Sequence, residues 1–318
     1  MPRQSDLLTL YRVARYYYKE GMNQKKIAAI ENLSRSQISR LIEKALKMGI
    51  VKFTLHLPSE FDSNELSSAL ERGLGLEKVI VAPISSSNAD SDLKVSQVIA
   101  IAAAEYLPQV FSKSNVVGIG WGKTLYETSL QLSYTNGNSA MYFVPMIGLS
   151  GDDNPNLQIN TIIDRFCEKF KCRGLFTNIP TIRERELPLT KVEKERFENL
   201  KELWNGLDVA VIGLGKPPDK ATSIISELSD EYILKVSQSQ TCGDILAQFY
   251  YPGGKIFSFD DRYDHIAFEI SRLNALKSVI CLAGGADKVN GIIAAARCGF
   301  IKTLITDSVT ARLIFEHI

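Results

Sequence analysis

The spacing of apolar residues near the start of the chain predicts three short helices. Apolar side chains recur every three or four positions over residues 5–20, as in an amphipathic helix. A second helix is predicted over 24–30 and a third over 35–48, with a turn at 31–33 between them. The small core where these two helices would cross consists of Ile27, Ala28, Leu33, Ile38 and Leu41.

Residues at the ends of these segments fit a helix-turn-helix. Gly21 is expected to end the first helix, and Asn23 and Ser34 are expected to cap the second and third. Asn32 stands at the turn position that needs a left-handed backbone and usually carries glycine. Glu31 occupies a position where an apolar residue is common, so we expect the turn to be less well packed there.

Beyond Pro58 the pattern changes, because apolar β-rich runs alternate with helical stretches. Strands that are apolar on both faces and separated by helices predict a parallel sheet covered on both sides. The predicted fold class is therefore α/β, with an N-terminal helix-turn-helix and a doubly wound, mostly parallel sheet. Strands are predicted over residues 78–82, 115–120, 140–148, 174–179, 208–215, 278–284 and 301–307. Helices are predicted over residues 92–110, 156–170, 190–204, 287–298 and 308–316.

Charge is divided unevenly along the chain. Residues 1–55 carry a formal charge of +7 and the remainder carries −6, although the whole chain is only +1. A basic N-terminal segment followed by an acidic remainder favours an electrostatic contact between that segment and DNA. The alternative is a chance excess of basic residues on a solvated face. The outward face of the third helix carries polar groups of the kind that read base edges and phosphates. The predicted DNA-binding residues are Gln24, Ser34, Arg35, Ser36, Gln37, Ser39 and Arg40.

Composition removes several other classes of protein. No run of 18 or more residues is apolar, and the N-terminus lacks the pattern of a signal peptide, so a cytoplasmic protein without a membrane span is expected. The five cysteines are scattered, and Cys167 and Cys172 stand five apart with no histidine nearby, which is poor spacing for zinc. We expect reduced structural cysteines, no metal and no cofactor.

The stretch VVGIGWGKTLY at 116–126 resembles a phosphate-binding loop. A nucleotide-binding loop would need glycine where Val117 stands, and the dinucleotide pattern fails at Leu125. A strand followed by Gly-x-Gly-Lys-Thr at a helix start still suits a phosphate or a polyhydroxyl ligand. The alternative is a tight turn without a ligand. Lys288, just past Gly284, is a second candidate anion contact, unless it is merely solvated.

Seven stretches carry a resemblance to a known family, at 12–28, 33–51, 116–126, 143–148, 208–215, 242–250 and 282–311. Together they resemble the SorC family of bacterial sugar-responsive transcriptional regulators over nearly the whole chain. The resemblance implies an effector domain with the fold of phosphosugar isomerases and glucosamine-phosphate deaminases. It also implies a homo-oligomer, expected to be a tetramer, that binds operator DNA. The effector that it implies is a sugar or a sugar phosphate. The resemblance further implies a DNA-binding domain at 1–55, a linker at 56–62 and an effector-binding and oligomerisation domain at 63–318.

The resemblance also implies a pocket. Asp244 matches a family acid that can accept hydrogen bonds from sugar hydroxyls, and Asp307 is expected to face the same cleft unless it only caps the following helix. Some family members carry Arg or Lys where this chain has Ile147, which argues against a bisphosphate effector and against Schiff-base chemistry there. The implied effector-binding residues are Gly120, Gly122, Lys123, Thr124, Glu127, Asp244, Gly284, Lys288 and Asp307.

The rival interpretation is a sugar-phosphate isomerase or deaminase. Such chemistry needs a carboxylate or histidine placed as a general base. The histidines are His56 in the linker, His265 and His317, and none is a convincing base; Glu127 and Asp244 could serve in principle. A basic helix-turn-helix adds little to a catalytic domain, so no catalytic residue is assigned and a non-enzyme is expected.

Overall fold

The computed structural model describes residues 4–51, 64–112, 114–135, 140–150, 154–220, 230–258 and 262–318. The chain divides into two compact units, Met1–Glu60 and Phe61–Ile318. The linker predicted at 56–62, including His56, lies outside the described residues.

Three helices make up the first unit. They are α1 (Gln4–Ala14), which continues into a π-helical turn (Arg15–Lys19), α2 (Gln24–Glu31) and α3 (Arg35–Lys47). The predicted caps are confirmed, because the Asn23 side chain accepts from the amide of Lys26 and the Ser34 side chain accepts from the amide of Gln37. Asn32 has φ +52°, which confirms the left-handed turn. The unit is therefore a helix-turn-helix.

The core of this unit forms where the helices cross. Ile27 and Ile38 are fully buried, as predicted. Ile42 belongs to the same core, although it was not among the predicted core residues. Glu31, which was expected to leave the turn less well packed, has a partner that the sequence did not indicate. Arg12 of α1 donates to both carboxylate oxygens of Glu31 at 2.8 and 3.0 Å. The ion pair connects α1 to the end of α2, which is a structural role that an apolar residue would fill by packing.

A seven-stranded parallel sheet organises the second unit, in the order β1-β11-β10-β6-β2-β3-β4. Smaller antiparallel pairs join β5 to β9 and β7 to β8. The strands are β1 (Lys78–Ala82), β2 (Val116–Ile119), β3 (Tyr142–Pro145), β4 (Arg173–Gly174), β5 (Ile182–Glu184), β6 (Val209–Gly213), β7 (Gly243–Ile245), β8 (Gln248–Tyr250), β9 (Tyr263–His265), β10 (Ser278–Leu282) and β11 (Thr303–Asp307).

Helices of the second unit pack against this sheet through a continuous apolar core. They are α4 (Asn64–Leu74), α5 (Ser86–Ala89), α6 (Asp92–Phe111), α7 (Lys123–Gln131), α8 (Ile159–Phe170), α9 (Lys191–Asn205), α10 (Asp230–Ser237), α11 (Val289–Arg297) and α12 (Ser308–Phe315). The predicted doubly wound, mostly parallel α/β fold is confirmed.

Most predicted strands are longer than the observed ones, and two of them differ most. Of the strand predicted over 140–148, only β3 (Tyr142–Pro145) is observed. Of the strand predicted over 174–179, only Gly174, the last residue of β4, is observed. Beyond β4, the side chain of Asn160 accepts from the Thr177 amide at 3.0 Å and donates to the Thr177 carbonyl at 2.7 Å. A side chain from α8 thus satisfies backbone groups that a neighbouring strand would otherwise pair.

The direction of the chain reverses in the middle of the sheet. From β2 it proceeds outward to β3 and β4, whereas from β6 it proceeds the other way, to β10 and β11. Adjacent parallel strands that lead in opposite directions leave a crevice at their carboxyl ends, which is where ligands bind in such folds. The loops after β2, β6 and β10 border this crevice.

Candidate functional site

A cavity of about 270 Å³ lies at the carboxyl ends of β2, β6 and β10. Its wall combines glycine-rich turns with four lysines and two aspartates. The lining residues are Asp92, Ser96, Trp121, Gly122, Lys123, Thr124, Leu125, Gly213, Leu214, Gly215, Lys216, Lys220, Asp244, Leu246, Ala247, Leu282, Gly284 and Lys288.

The loop after β2 supplies a helix N-terminus to this cavity. Gly122 has φ +127°, a conformation that favours glycine, and α7 begins at the next residue. Lys123 is exposed, and the hydroxyl of the buried Thr124 lies 3.2 Å from that of Ser96 on α6. Amides at a helix N-terminus beside a lysine attract anions. This wall can hold a phosphate or hydroxyl group.

The loop after β6 supplies two more lysines, which are paired with aspartates. The amine of Lys216 lies 3.0 Å from the carboxylate of Asp92 and 3.4 Å from that of Asp287. Lys220 lies 2.6 Å from Asp287. Asp92 raises the pKa of Lys216, and Asp287 raises the pKa of Lys220, chiefly by accepting hydrogen bonds. The lysines are therefore cationic, and an anionic ligand would compete with the aspartates for them.

Asp244 and Lys288 are half-buried charged residues of this wall, and burial is the main cause of the pKa shift of each. Burial raises the pKa of Asp244 to about 6, although Lys288 and the amide of Ala247 oppose the shift. Burial lowers the pKa of Lys288, with Asp244 opposing. Each charged form is thus costly without water, and each group gains from a ligand that supplies a hydrogen bond or a countercharge.

The β7–β8 hairpin places Asp244 in the wall. Its turn is formed by Leu246 and Ala247 at φ +53° and +60°, which is unusual for residues other than glycine. The amide of Gly215 donates to the carbonyl of Asp244 at 2.9 Å, and a side chain at Gly215 would overlap the Asp244 carboxylate. Close contact between this hairpin and the loop after β6 therefore depends on glycine.

Six of the nine effector residues implied by the resemblance line one cavity: Gly122, Lys123, Thr124, Asp244, Gly284 and Lys288. The other three do not line it. Asp307, expected in the cleft, instead caps α12 by accepting from the amides of Val309 and Thr310 at 3.0 and 2.9 Å, which was the alternative role.

Gly120 and Glu127 also have different surroundings. A side chain at Gly120 would press on β6 and on Leu246 at 3.2 Å, so this glycine permits close packing behind the cavity. Glu127 is buried on α7 without contributing to the cavity wall.

Four polar residues of the wall were missed by the sequence analysis: Asp92, Ser96, Lys216 and Lys220. Lys216 had a detectable signal, because it follows a glycine turn at the end of a buried strand. Asp92 and Ser96 lie in the first turns of a long helix and gave no local signal. Only the folded sheet brings α6 to this cavity.

The predicted DNA-contacting face is partly available on the surface of α3. Arg35, Ser36, Ser39 and Arg40 are exposed. Gln37 and Ser34 form a capping box, in which the Gln37 side chain accepts from the Ser34 amide at 2.8 Å. Gln24 is half-buried at the start of α2. Ser34 and Gln37 thus hold local structure as well as being predicted contacts.

Several other features bear on function within the described residues. No group of three or more metal-ligating side chains is arranged to hold an ion there. None of the helices described is long and apolar enough to cross a bilayer. His265 on β9 does not line the cavity, and burial lowers its pKa to about 4.

Fold and site together define a two-part protein, in which a helix-turn-helix precedes an α/β unit with a polar cavity. Comparison with known proteins narrows this class. The family model described as "Putative sugar-binding domain" matches residues 59–316, so the chain belongs to that family. With its helix-turn-helix, it is a member of the SorC family of sugar-responsive transcriptional regulators.

Individual relatives agree with this assignment. The sorbitol operon regulator of Klebsiella pneumoniae is 24% identical, with 99% of this chain and 100% of the relative covered. The deoxyribonucleoside regulator of Bacillus subtilis (strain 168) is 27% identical, with 100% of both chains covered.

Solved structures share the fold. The full-length sorbitol operon regulator SorC from Klebsiella pneumoniae superposes with a TM-score of 0.71 at 23% identity, covering 98% of this chain and 100% of that one. A transcriptional regulator from Streptococcus pneumoniae TIGR4 superposes with a TM-score of 0.72 at 23% identity, covering 82% and 99%.

Proposed function

We propose that this chain regulates a carbohydrate-utilisation operon by binding operator DNA under the control of a sugar or sugar-phosphate effector. The observation that carries the proposal is the cavity, in which Lys123, Lys288 and Asp244 meet at the switch point of the sheet. Lysines and helix amides suit a phosphate, and the half-buried carboxylate of Asp244 suits hydroxyl groups. We place the effector in this cavity.

The charges in the wall limit the effector to a modestly anionic or neutral one. Lys216 and Lys220 are already paired with Asp92 and Asp287. Ile147, where some family members carry a cation, is fully buried and paired with Ala267 through a β-bridge. A monophosphate or an unphosphorylated sugar therefore fits better than a bisphosphate.

DNA binding is assigned to α3 of the helix-turn-helix. Arg35 and Arg40 are exposed and cationic, and Ser36 and Ser39 lie on the same helix with exposed hydroxyls. Such side chains reach base edges and phosphates when a recognition helix enters the major groove. The basic balance of residues 1–55 adds a sequence-independent attraction to DNA.

Effector and DNA are coupled through oligomerisation. We propose a cytoplasmic homotetramer in which several weak DNA-reading units act together at fixed spacing. An effector that prefers one arrangement shifts the population of DNA-competent oligomers, with a coupling of about 1–3 kcal/mol. Occupation of the cavity and DNA affinity would then change together.

Two measurements test the cavity assignment. A thermal-shift screen of sugars, polyols and their phosphates should identify the effector, because a bound ligand raises apparent stability by mass action. Lys123→Ala and Lys288→Met should lose stabilisation by sugar phosphates but keep stabilisation by neutral polyols. Lys194→Ala, on exposed α9, is the control. Full stabilisation of both site variants by phosphates would contradict the assignment.

DNA binding is tested by an Arg35→Ala/Arg40→Ala variant in a gel-retardation assay with operator DNA. We expect loss of retention with the oligomer intact by light scattering. Arg196→Ala, on α9 of the other unit, should bind normally. Unchanged retention of the double variant would refute the role of α3.

The relatives are transcriptional regulators, and the chain is therefore assigned as a regulator and not as an enzyme. The rival isomerase or deaminase interpretation still makes a distinct prediction. Turnover of a sugar phosphate by the purified protein, abolished by Asp244→Asn, would overturn the regulator assignment.

A further inference from the structure

Two cysteines face each other where α8 ends. The amides of Lys171 and Cys172 both approach the carbonyl of Cys167, the second at 3.3 Å. Lys171 has the left-handed φ of +49° that reverses the chain there. This is a left-handed helix C-cap with a 6→1 backbone bond, and the side chains of the first and sixth residues of such caps commonly touch. Here both of those residues are cysteines.

The side chains confirm that the two thiols are neighbours. They interact by a hydrogen bond that lowers the pKa of Cys172 and raises that of Cys167. The sulfur of Cys167 lies where a side chain at Gly174 would come within 2.7 Å of it. Glycine at 174 therefore leaves space for the Cys167 thiol. Both cysteines are half-buried, so small solutes can reach them.

The other three thiols have a different environment. Burial raises the pKa of Cys242 to about 11, that of Cys281 to about 12, and also that of Cys298. Among the five cysteines, all of which belong to the described part of the chain, Cys172 is the one whose thiolate is favoured. Thiolates are the reactive form towards oxidants.

We propose that Cys167 and Cys172 are a modification site that forms a reversible disulfide on exposure to a hydroperoxide. The 6→1 backbone pairing holds the two residues next to each other, and disulfides require such closeness of the two backbones. The bond would join the last turn of α8 to the residue before β4. It lies outside the residues that line the effector cavity.

The chemistry balances in two steps. The Cys172 thiolate attacks the peroxide, forming a sulfur–oxygen bond while the oxygen–oxygen bond breaks and the first water leaves after protonation. The Cys167 sulfur then attacks this sulfenic acid, forming the disulfide while the sulfur–oxygen bond breaks and the second water leaves. Two thiols lose two electrons and two protons, and hydrogen peroxide becomes two waters.

Peptide mapping of the full-length protein tests the site. After treatment with hydrogen peroxide and blocking of remaining thiols, we expect a crosslinked peptide joining Cys167 to Cys172 and a thiol count lower by two. Dithiothreitol should restore the count, and Cys298→Ser should behave like the wild type. A dominant disulfide involving any other cysteine, or oxidation without the crosslink, would overturn the proposal.

Two single variants assign the steps. Cys167→Ser removes the resolving thiol, so a sulfenic acid should accumulate on Cys172 and be trapped by dimedone. Cys172→Ser should show much less trapping, and circular dichroism should confirm that both variants are folded. A trivalent arsenical, which bridges neighbouring thiols, should protect both cysteines of the wild type from alkylation. Trapping on Cys167 in Cys172→Ser at the level seen on Cys172 in Cys167→Ser would contradict the assignment of the two steps. No protection by the arsenical would contradict the pairing.

Discussion

Replacing Asp244 with asparagine should stabilise the effector-free protein at neutral pH and have no such effect in acid. The carboxyl group faces the cavity with a pKa raised by burial to about 6, compared with an ordinary value of 3.8. In the folded state the proton is therefore held more tightly than in the unfolded chain. A group of this kind stabilises the fold while protonated, and that contribution is lost as pH rises through the folded-state pKa.

The magnitude follows from the size of the shift. Each pKa unit corresponds to about 1.36 kcal/mol, so ionising Asp244 inside the fold costs up to about 3 kcal/mol. Contact with solvent in the cavity lowers this figure, because Asp244 is only half-buried. Loss of the attraction to Lys288 in the variant lowers it further. We expect a gain of about 1–3 kcal/mol above pH 6, shrinking to nothing near pH 4.

Tryptophan fluorescence isolates the relevant unit. Trp121 and Trp204 are the only tryptophans of the sequence, and both lie in the second unit. Urea unfolding of wild type and Asp244→Asn, followed by this signal from about pH 4 to about pH 8, gives the difference in unfolding free energy. Asp287→Asn is the control, since Lys220 lowers the pKa of Asp287 and its variant should lose stability at neutral pH.

The way this difference in unfolding free energy changes with pH tests whether burial of Asp244 destabilises the fold. A difference between wild type and Asp244→Asn that stays constant across this range would refute the argument from desolvation. So would a variant that is less stable than the wild type at neutral pH, because that would mean the carboxylate is stabilised by its surroundings.

Three other substitutions test local features. Ser34→Ala should cost about 1 kcal/mol by removing the cap of α3, measured by circular dichroism, whereas Ser39→Ala on the exposed face should cost little. Gly215→Ala should cost about 1–3 kcal/mol and abolish stabilisation by the effector, because its methyl group would overlap the Asp244 carboxylate. Lys171→Gly should stabilise the second unit by about 1 kcal/mol at its left-handed φ, while Lys169→Gly within α8 should destabilise it by a similar amount.

Local signals explain why much of the fold was predictable. The caps at Asn23 and Ser34 depend on residues within one turn of the helix, and the left-handed residue Asn32 depends on its own backbone. Central strands such as β6 and β10 are buried on both faces, so they appear as uninterrupted apolar runs. The ends of strands were less predictable. Beyond β4, for example, the backbone of Thr177 pairs with the side chain of Asn160 on α8.

The cavity was predictable only where its residues follow strands. Lys123 and Lys288 come directly after glycine turns, so the topology of a parallel sheet brings them together. Asp92 lies at the start of α6, far from Lys216 in the sequence, and only the fold brings the two residues together as an ion pair in the cavity wall. Asp307 had two plausible roles at one position, and only the geometry distinguishes a helix cap from a ligand contact. Pairings between distant segments carry no local pattern.

Several residues that line the cavity carry a cost in the effector-free fold. Desolvation disfavours both the Asp244 carboxylate and the Lys288 amine, and Leu246 and Ala247 hold backbone conformations that favour glycine. A sugar hydroxyl donating to Asp244 and an anionic group beside Lys288 would offset part of that cost. Stabilisation by a sugar phosphate should therefore be larger than its contact area alone implies, and Asp244→Asn should lessen it even as it stabilises the empty protein. Opposite effects on these two quantities would follow from a binding site, whereas replacing a purely structural aspartate would change only the stability of the effector-free protein.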